Sequence, residues 1–347
     1  MTKRKKILLV SAIALVIVLS SAIVAISAQG LWPTLLRSGK SLGYKDAVFG
    51  YDGTIYFFHD GELSSIGEGG DTMPKYAPLV SPDHKQILYQ HSVYDYEDCV
   101  TMVIGVMGFD GKVIRQITID NTFSNNIVGM EWLDNKHVGV TTHVNPSTGE
   151  YFIFDIVTGK EVSREVGYAF AMIPNSQNVI HAANLPHWSP LDEYHSFVVG
   201  EKTVYTVKDL NVALGTPVFD TEVKQVAFIE KAYLSDRESI RLIIADFDLD
   251  SLTLTPTVEI DVPEDVSGYL MFDENNQACF VNVDQKVFFN KDLGKFEYVQ
   301  IENDLIVTQE RYPDLFGAIK EKFGFGNSET KTLEEEFADI MNVTMLP

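Results

Sequence analysis

The chain begins with one continuous apolar run and then changes to short apolar stretches separated by polar turns. Residues 7–28 contain no charged residue, Asn, Gln or Pro. The residues directly before them are all basic: Lys3, Arg4, Lys5 and Lys6. A helix of this run would be about 33 Å long, enough to cross a hydrocarbon core of about 30 Å. Because basic flanks stay in the cytoplasm, we expect the bulk of the chain on the outside.

A cleavable signal peptide is the alternative interpretation of this segment. The small residues Ala25 and Ser27, which flank Ile26, would suit a cleavage site. The apolar run is nevertheless longer than the roughly 7–15 residues that are usual in signal peptides. We therefore predict an uncleaved anchor over residues 1–30 in a bacterial-type cell membrane. Secretion after cleavage remains the alternative.

Beyond Leu31 the pattern is that of an all-β protein. Short runs rich in Val, Ile, Phe and Tyr alternate with turns of Asp, Asn, Gly and Pro. No long helical pattern interrupts them before residue 312, and strands without intervening helices indicate antiparallel sheets. Two stretches, 76–119 and 268–302, each divide directly into four strands.

Two interleaved series of turns repeat with one period. The turn residues of the first series are Asp52, Asp83, Asp134, Asn175, Asp220 and Asp273. The reference positions of the second series are Gly61, Gly111, Gly159, Asn211, Leu252 and Gly294. Successive turns lie roughly 45 residues apart, which is typical of one four-stranded propeller blade. Stacking such sheets around an axis buries their faces and protects their edges. We therefore predict a β-propeller over residues 31–311, with six four-stranded blades favoured over five or seven.

One of these repeats resembles the TolB-like, WD40-like β-propeller family. The segment SPDHKQILYQ (81–90) is similar to the family's Ser-Pro-Asp-Gly-Lys turn and the strand after it. The segment GVMGFDGKVIRQIT (105–118) is similar to its Asp-Gly turn and a strand ending in Leu-Thr. His84 stands where the family usually has Gly. The resemblance implies a propeller fold and no particular activity.

The last part of the chain, residues 312–347, changes to a helical pattern. A first amphipathic helix is indicated by Leu315, Phe316, Ile319 and Phe323, and a second by Leu333, Phe337, Ile340 and Met341. We expect both helices to pack on the propeller, with docking to another membrane or envelope protein as the alternative.

The first repeat is short, and residues 305–308 are a candidate for its missing fourth strand.

Composition and charge narrow the class of protein. The chain has 49 Asp and Glu against 27 Lys and Arg, a net charge of −22, which argues against nucleic-acid binding. Two cysteines, Cys99 and Cys279, cannot form a disulfide framework or a four-cysteine zinc site. We expect two independent thiols, with a Cys99–Cys279 disulfide as the alternative.

The search for catalytic and metal-binding motifs leads to a prediction of no catalytic residue, metal site or cofactor. The chain has no Gly-x-Ser-x-Gly elbow, His-Glu-x-x-His, Walker loop or dinucleotide fingerprint. Asp246, Asp248 and Asp250 alternate as a calcium loop would, but Ser251 and Thr257 replace its required Gly and Glu. We interpret this series as the acidic end of a hairpin.

Two segments, 92–99 and 184–195, are longer than the neighbouring turns and place aromatic residues among acids. Long loops on a rigid scaffold often carry recognition, and aromatic residues anchor many interfaces. The candidate ligand- or partner-binding residues are Tyr94, Tyr96, His187, Trp188, Tyr194 and His195. Packing of these side chains onto the blades is the alternative.

The sequence therefore favours a membrane-anchored, extracytoplasmic propeller that acts as a non-enzymatic binding or scaffold protein. Its expected partner is a protein or a cell-envelope component. The alternative is a hydrolase or lyase acting on carbohydrate or peptide in the central channel, with each blade contributing part of the site. Carboxylates facing each other roughly 5–10 Å apart would favour the enzyme.

Overall fold

The strands of the protein form five antiparallel sheets in a computed structural model. The residues that this structure describes are 46–66, 75–94, 100–120, 122–124, 126–144, 148–183, 195–207, 212–233, 238–282, 285–301, 312–325 and 340–346.

Three of the sheets have four strands each. The first has the order β24-β1-β2-β3 and consists of β1 (Asp46–Tyr51), β2 (Thr54–His59), β3 (Glu62–Ile66) and the C-terminal β24 (Met341–Leu346). The second consists of β4 (Tyr76–Val80), β5 (Gln86–Tyr94), β6 (Val100–Gly108) and β7 (Val113–Thr118). The third consists of β20 (Tyr269–Phe272), β21 (Ala278–Val281), β22 (Gln285–Asn290) and β23 (Lys295–Gln300). The last two confirm the strands predicted in 76–119 and 268–302.

The other two sheets are larger. The seven-stranded sheet runs in chain order through β8 (Asn126–Trp132), β9 (His137–Val144), β10 (Thr148–Asp155), β11 (Lys160–Met172), β12 (Val179–Ala183), β13 (Ser196–Val199) and β14 (Lys202–Thr206). The five-stranded sheet contains β15 (Val212–Leu214), β16 (Val218–Phe219), β17 (Gln225–Tyr233), β18 (Glu238–Asp248) and β19 (Thr253–Asp261). Both β15 and β16 pair with β17.

Strand β11 connects the two halves of the seven-stranded sheet. Its residues 160–167 pair with β10, and its residues 167–172 pair with β12. Gly167 belongs to both pairings, and a Cβ atom there would overlap the carbonyl oxygen of Ala182. The described strands therefore form five hydrogen-bonded sheets, where the sequence predicted six separate blades.

The sheets pack face to face in chain order, which is the arrangement of a β-propeller. Each interface is a buried cluster to which both neighbouring sheets contribute. Examples from the four interfaces are Ile55 with Met107, Ile104 with Val140, Phe197 with Phe228, and Leu242 with Phe280. The all-β propeller expected from the alternating pattern and from the TolB-like resemblance is confirmed.

The first strand of each sheet lies nearest the axis. Strands β24, β4 and β8 contact one another in succession, and β16 contacts β20. The pairing of these inner strands is irregular, with register shifts at 76–79 in β4, at 127–129 in β8 and at 168–171 in β11. Ala77 and Ala169 have φ of 51° and 53° at two of these bulges, a region that β-branched residues would occupy only with strain.

The two ends of the sheets have different connections. We call one end of the propeller the turn face. It carries the tight turns between first and second strands and between third and fourth strands. The opposite end, where second strands continue into third strands, is the connection face. Turn-face carboxylates accept backbone N–H groups of their own turns, as at Asp83, Asp134, Asp220 and Asp273. Positive φ angles occur at Gly61, Gly111, Gly159, Leu252 and Gly294, as the turn pattern predicted.

Two of the predicted turn positions need correction. The turn at Asp52 joins β1 to β2, the second and third strands of its sheet, and therefore lies on the connection face. Asn211 lies outside the described residues, and the turn between β13 and β14 contains Gly200, with φ of 56°.

The C-terminal part closes the first sheet. The predicted first helix is confirmed as α1 (Pro313–Phe323), which packs through Leu315 and Ile319 against Phe49 and Phe58 of that sheet. Met341 begins strand β24 and not the end of a second helix, and this strand supplies the fourth strand of the first sheet. Residues 305–308 and most of the predicted second helix lie outside the described residues.

Two further predictions fall partly on the undescribed part of the chain. In the described ranges, no helix is long and apolar enough to cross a membrane, and the predicted span at 7–28 lies outside those ranges. Cys279 is buried in β21. Because Cys99 is outside the described residues, the expectation for the two thiols stays a prediction.

Candidate functional site

The predicted loop residues can be located only in part. Tyr96, His187, Trp188 and Tyr194 lie outside the described residues, so whether the six candidates meet stays a prediction. Tyr94 is the last residue of β5, at the connection face. The side chain of His195 is buried, and its backbone oxygen accepts the N–H of Val207 at 2.8 Å, where β13 begins. Both loops therefore begin or end on the connection face.

Exposed apolar and aromatic side chains lie at the same end of the propeller. Val128, Tyr168 and Tyr269 belong to the inner strands β8, β11 and β20, close to where those strands begin or bend. Tyr269 is 85% exposed and Val128 is 56% exposed. Phe123 is also exposed, in the connection that leads to β8. These residues were not predicted from the sequence, because an apolar residue next to a bulge has the same sequence pattern as any other strand residue.

Carboxylates lie at the same end of the propeller as these apolar residues. Asp52, Asp120 and Asp261 are exposed on the connection face, and desolvation raises the pKa of Glu165 above its ordinary value. The Tyr298 hydroxyl donates to Asp265 Oδ2 at 3.1 Å. The connection face therefore combines aromatic groups with negative charge.

A buried carboxylate holds one of these connections in place. Glu150 is 1% exposed, and its Oε2 accepts the hydroxyl of Thr122, the N–H of Phe123 at 3.2 Å and the hydroxyl of Ser124 at 3.1 Å. Arg164 Nη1 lies 3.3 Å from its Oε1 and neutralises its charge. Because Glu150 is on β10, this network fixes residues 122–124 against the seven-stranded sheet.

A second polar cluster lies between the two halves of the seven-stranded sheet. Tyr151 donates its hydroxyl to Glu131 Oε1 at 2.6 Å, and desolvation raises the pKa of both groups. Phe170 stacks on Tyr151 with ring centroids 5.7 Å apart and lies 5.6 Å from the His181 ring. Burial lowers the pKa of His181 to about 4. The cluster thus favours a neutral imidazole at neutral pH, and burial disfavours the ionised form of the Glu131 carboxyl group.

A third buried carboxylate, Glu230, belongs to β17 and contacts β14. The hydroxyl of Tyr205 donates to its Oε1 at 2.5 Å, and Arg241 Nη1 lies 3.4 Å from its Oε2. Desolvation and this hydrogen bond raise the pKa of Tyr205 well above its usual range. Like Glu150, Glu230 faces an arginine and a hydroxyl group of the protein itself.

The acidic series in β18 forms a turn. Asp248 Oδ1 accepts the N–H groups of Asp250 at 2.9 Å and Ser251 at 3.0 Å, which agrees with the hairpin interpretation. Over the ranges that the structure covers, no group of three His, Cys, Asp or Glu residues is placed to hold a metal ion.

Comparison with known proteins gives similarity of fold only. No protein-family model and no curated protein matches the chain in sequence. The propeller domain of the Trilobed protease from Pyrococcus furiosus is 13% identical with a TM-score of 0.43, covering 74% of this chain and 82% of that chain. An oligogalacturonate lyase in complex with manganese is 13% identical with a TM-score of 0.45, covering 74% of each chain. A protein from Agrobacterium tumefaciens described as TolB is 11% identical with a TM-score of 0.32, covering 63% of this chain and 82% of that chain. Identities and TM-scores this low carry no argument about activity. The chain is described as a β-propeller because of the way its own sheets pack.

Proposed function

We propose that the chain is a membrane-anchored, extracytoplasmic β-propeller that binds a protein or cell-envelope ligand on its connection face without turning it over. The observation that carries the proposal is the exposure of Val128, Tyr168 and Tyr269 on inner strands at that face. Exposed apolar residues grouped around a concave centre are typical of interaction sites. Tyrosine suits such a site because it contributes a large apolar ring and a hydrogen-bonding hydroxyl.

The buried carboxylates support binding over catalysis. A glycosidase needs two carboxylates that reach the same substrate bond. Glu150 and Glu230 each contact an arginine and a hydroxyl group of the protein, which neutralise them and fix them in place. Their arrangement is that of groups that stabilise connections and sheet interfaces.

One observation favours the alternative, a hydrolase or lyase acting on carbohydrate or peptide in the channel. Burial raises the pKa of Glu131 on the inner strand β8, and a raised pKa is the direction that suits a carboxyl group acting as a general acid. Its partner in the structure is the phenol of Tyr151.

We infer that the five sheets represent six blades. Strands β8–β10 with residues 160–167 would form one blade, and residues 167–172 with β12–β14 would form the next. The change of partner along β11 at Gly167 supports this division. The apolar run at 7–28 supports the membrane anchor, since it has the length and composition of a spanning helix.

A crosslinking pull-down of the full chain from its native membrane tests the proposal. The double variant Tyr168→Ser and Tyr269→Ser should lose the captured partner, because it removes two exposed rings from the connection face. The control, Val113→Ser with Ile114→Ser, changes exposed residues of the outer strand β7 and should retain it. Turnover of an envelope glycan or peptide by the purified protein, abolished in Glu131→Gln, would refute the binding role and establish the alternative.

A further inference from the structure

Apolar side chains project from three equivalent turns of the turn face. Val157, Leu249 and Leu293 are all exposed and lie in the turns between third and fourth strands, in three different parts of the ring. The preceding polar residue fixes each turn. Asp155 Oδ1 accepts the N–H of Val157 at 2.7 Å, and Asn290 Oδ1 accepts that of Leu293 at 3.1 Å. Val157 and Leu293 are 60% and 59% exposed, and Leu249 is 36% exposed.

Single exposed apolar residues are ordinary on protein surfaces. The three residues differ from that background because the topology places them on one end of the propeller, in the same kind of turn of separate sheets. Such an arrangement gives three points of contact with a flat apolar layer.

Charged side chains of both signs lie on the turn face. The exposed lysines of its turns are Lys85, Lys112, Lys136, Lys160, Lys202, Lys224, Lys291 and Lys295. Several turn carboxylates point back to their own backbone, as at Asp134 and Asp220. Other acids, such as Glu222 and Glu274, remain exposed and offset the lysines. Among the described residues, the exposed acids of these turns number nine: Asp60, Glu62, Asp110, Glu201, Glu222, Asp248, Asp250, Glu274 and Asp292. The exposed side chains of the turn face are therefore close to charge balance, and its lysines can approach anionic lipid headgroups.

The chain joins the propeller on this same face. Asp46 begins β1, the second strand of its sheet, and second strands begin at the turn face. The segment 29–45 separates it from the predicted span. A random coil of that length would have a root-mean-square reach of roughly 23 Å. The nine-residue strand β5 is about 30 Å long, so reaching the membrane past the full height of the propeller would need an extended linker.

We propose that the turn face rests on the lipid bilayer, with Val157, Leu249 and Leu293 at the boundary between headgroups and acyl chains. The turn lysines then lie near the lipid phosphates, and the connection face points away from the membrane toward its partner. This orientation rests on the membrane anchor proposed above. Apolar side chains and lysines on one surface are the combination that binds membrane interfaces.

Quenching by lipids in reconstituted vesicles tests the orientation. The full chain, with Cys99→Ser and the buried Cys279 retained, is placed in phosphatidylcholine and phosphatidylglycerol vesicles. Leu293→Cys, Val157→Cys and Leu249→Cys are labelled separately with an environment-sensitive fluorophore, and Tyr269→Cys on the connection face is the matched control. In vesicles with spin-labelled acyl chains, the three turn-face reporters should lose about half of their fluorescence or more, and the control should lose almost none.

The possible outcomes separate the orientation from the anchor. If the chain fails to float with the vesicles, the anchor itself is refuted, and the orientation with it. If it floats while the turn-face reporters stay as unquenched as the control, only the orientation is refuted. A reporter that shifts to the blue without lipid quenching would show that another protein surface covers the turn, and would also refute the orientation.

Discussion

Replacing His181 with phenylalanine should remove part of the acid sensitivity of the folded protein. His181 is 4% exposed, packs near Phe170, and its Nδ1 makes no hydrogen bond within the described structure. Burial lowers its pKa from 6.5 to about 4. The unfolded chain therefore binds more protons than the folded one between these two values, and stability falls as the pH drops through that range.

The expected size of the effect follows from the two pKa values. Relative to pH 8, protonation of the unfolded imidazole should cost the wild type about 2 kcal/mol of unfolding free energy at pH 5. The variant His181→Phe keeps a ring next to Phe170 and has no group to protonate there. Any change in packing that it causes should be the same at both pH values, so it cancels in the comparison.

Urea unfolding at pH 8 and pH 5, followed by tryptophan fluorescence, measures this difference. The wild type should lose about 2 kcal/mol more than His181→Phe between the two pH values. The control His59→Gln removes an exposed imidazole whose pKa is raised by its hydrogen bond to Asp46. It should change the pH dependence in the opposite direction, because His59 stabilises the fold only while protonated. Equal pH dependence in the wild type and His181→Phe would refute the reasoning.

Three other predictions concern packing and closure of the ring. Glu150→Gln should lower the unfolding free energy by about 1–3 kcal/mol in urea titrations, because it removes the charge that faces an arginine and accepts three hydrogen bonds; unchanged stability would contradict this role. Gly139→Ala should destabilise the fold in the same assay, because the added Cβ would overlap the Tyr151 hydroxyl. The control is Gly317→Ala on helix α1, where the added Cβ meets open space. It should leave stability unchanged or raise it by up to about 1 kcal/mol. Deleting residues 341–346 removes β24, so limited proteolysis should cleave the first sheet before it cleaves the other four sheets. An unchanged cleavage pattern would show that this strand does not close the ring.

Local features of the fold were predictable because local chemistry decides them. Asp83 and Gly111 form their turns through side-chain hydrogen bonds and positive φ within a few residues of each other in sequence. The four strands of 76–119 and the helix at 312–323 likewise follow from alternation and from helical spacing. These elements needed no information from distant parts of the chain.

The proposed binding surface was less predictable, because exposure depends on what packs against a residue. Tyr168 and Tyr269 have the residue type and alternation of core positions, and only the neighbouring inner strands leave them exposed. Glu150 is an ordinary strand acid in sequence, and its role depends on Arg164 and residues 122–124. The loop residues named from sequence lie mostly outside the described part, so they stay predictions.

The sequence by itself determined that this protein is an all-β propeller, through the period of its turns and the alternation of its strands. Only the tertiary structure decided how the ring is completed. Strand β24, near the end of the sequence, pairs with β1, the first described strand. Strand β11 divides its hydrogen bonds between β10 and β12. Such pairings depend on which apolar faces are buried together after the sheets have assembled, and that burial has no counterpart in the local pattern.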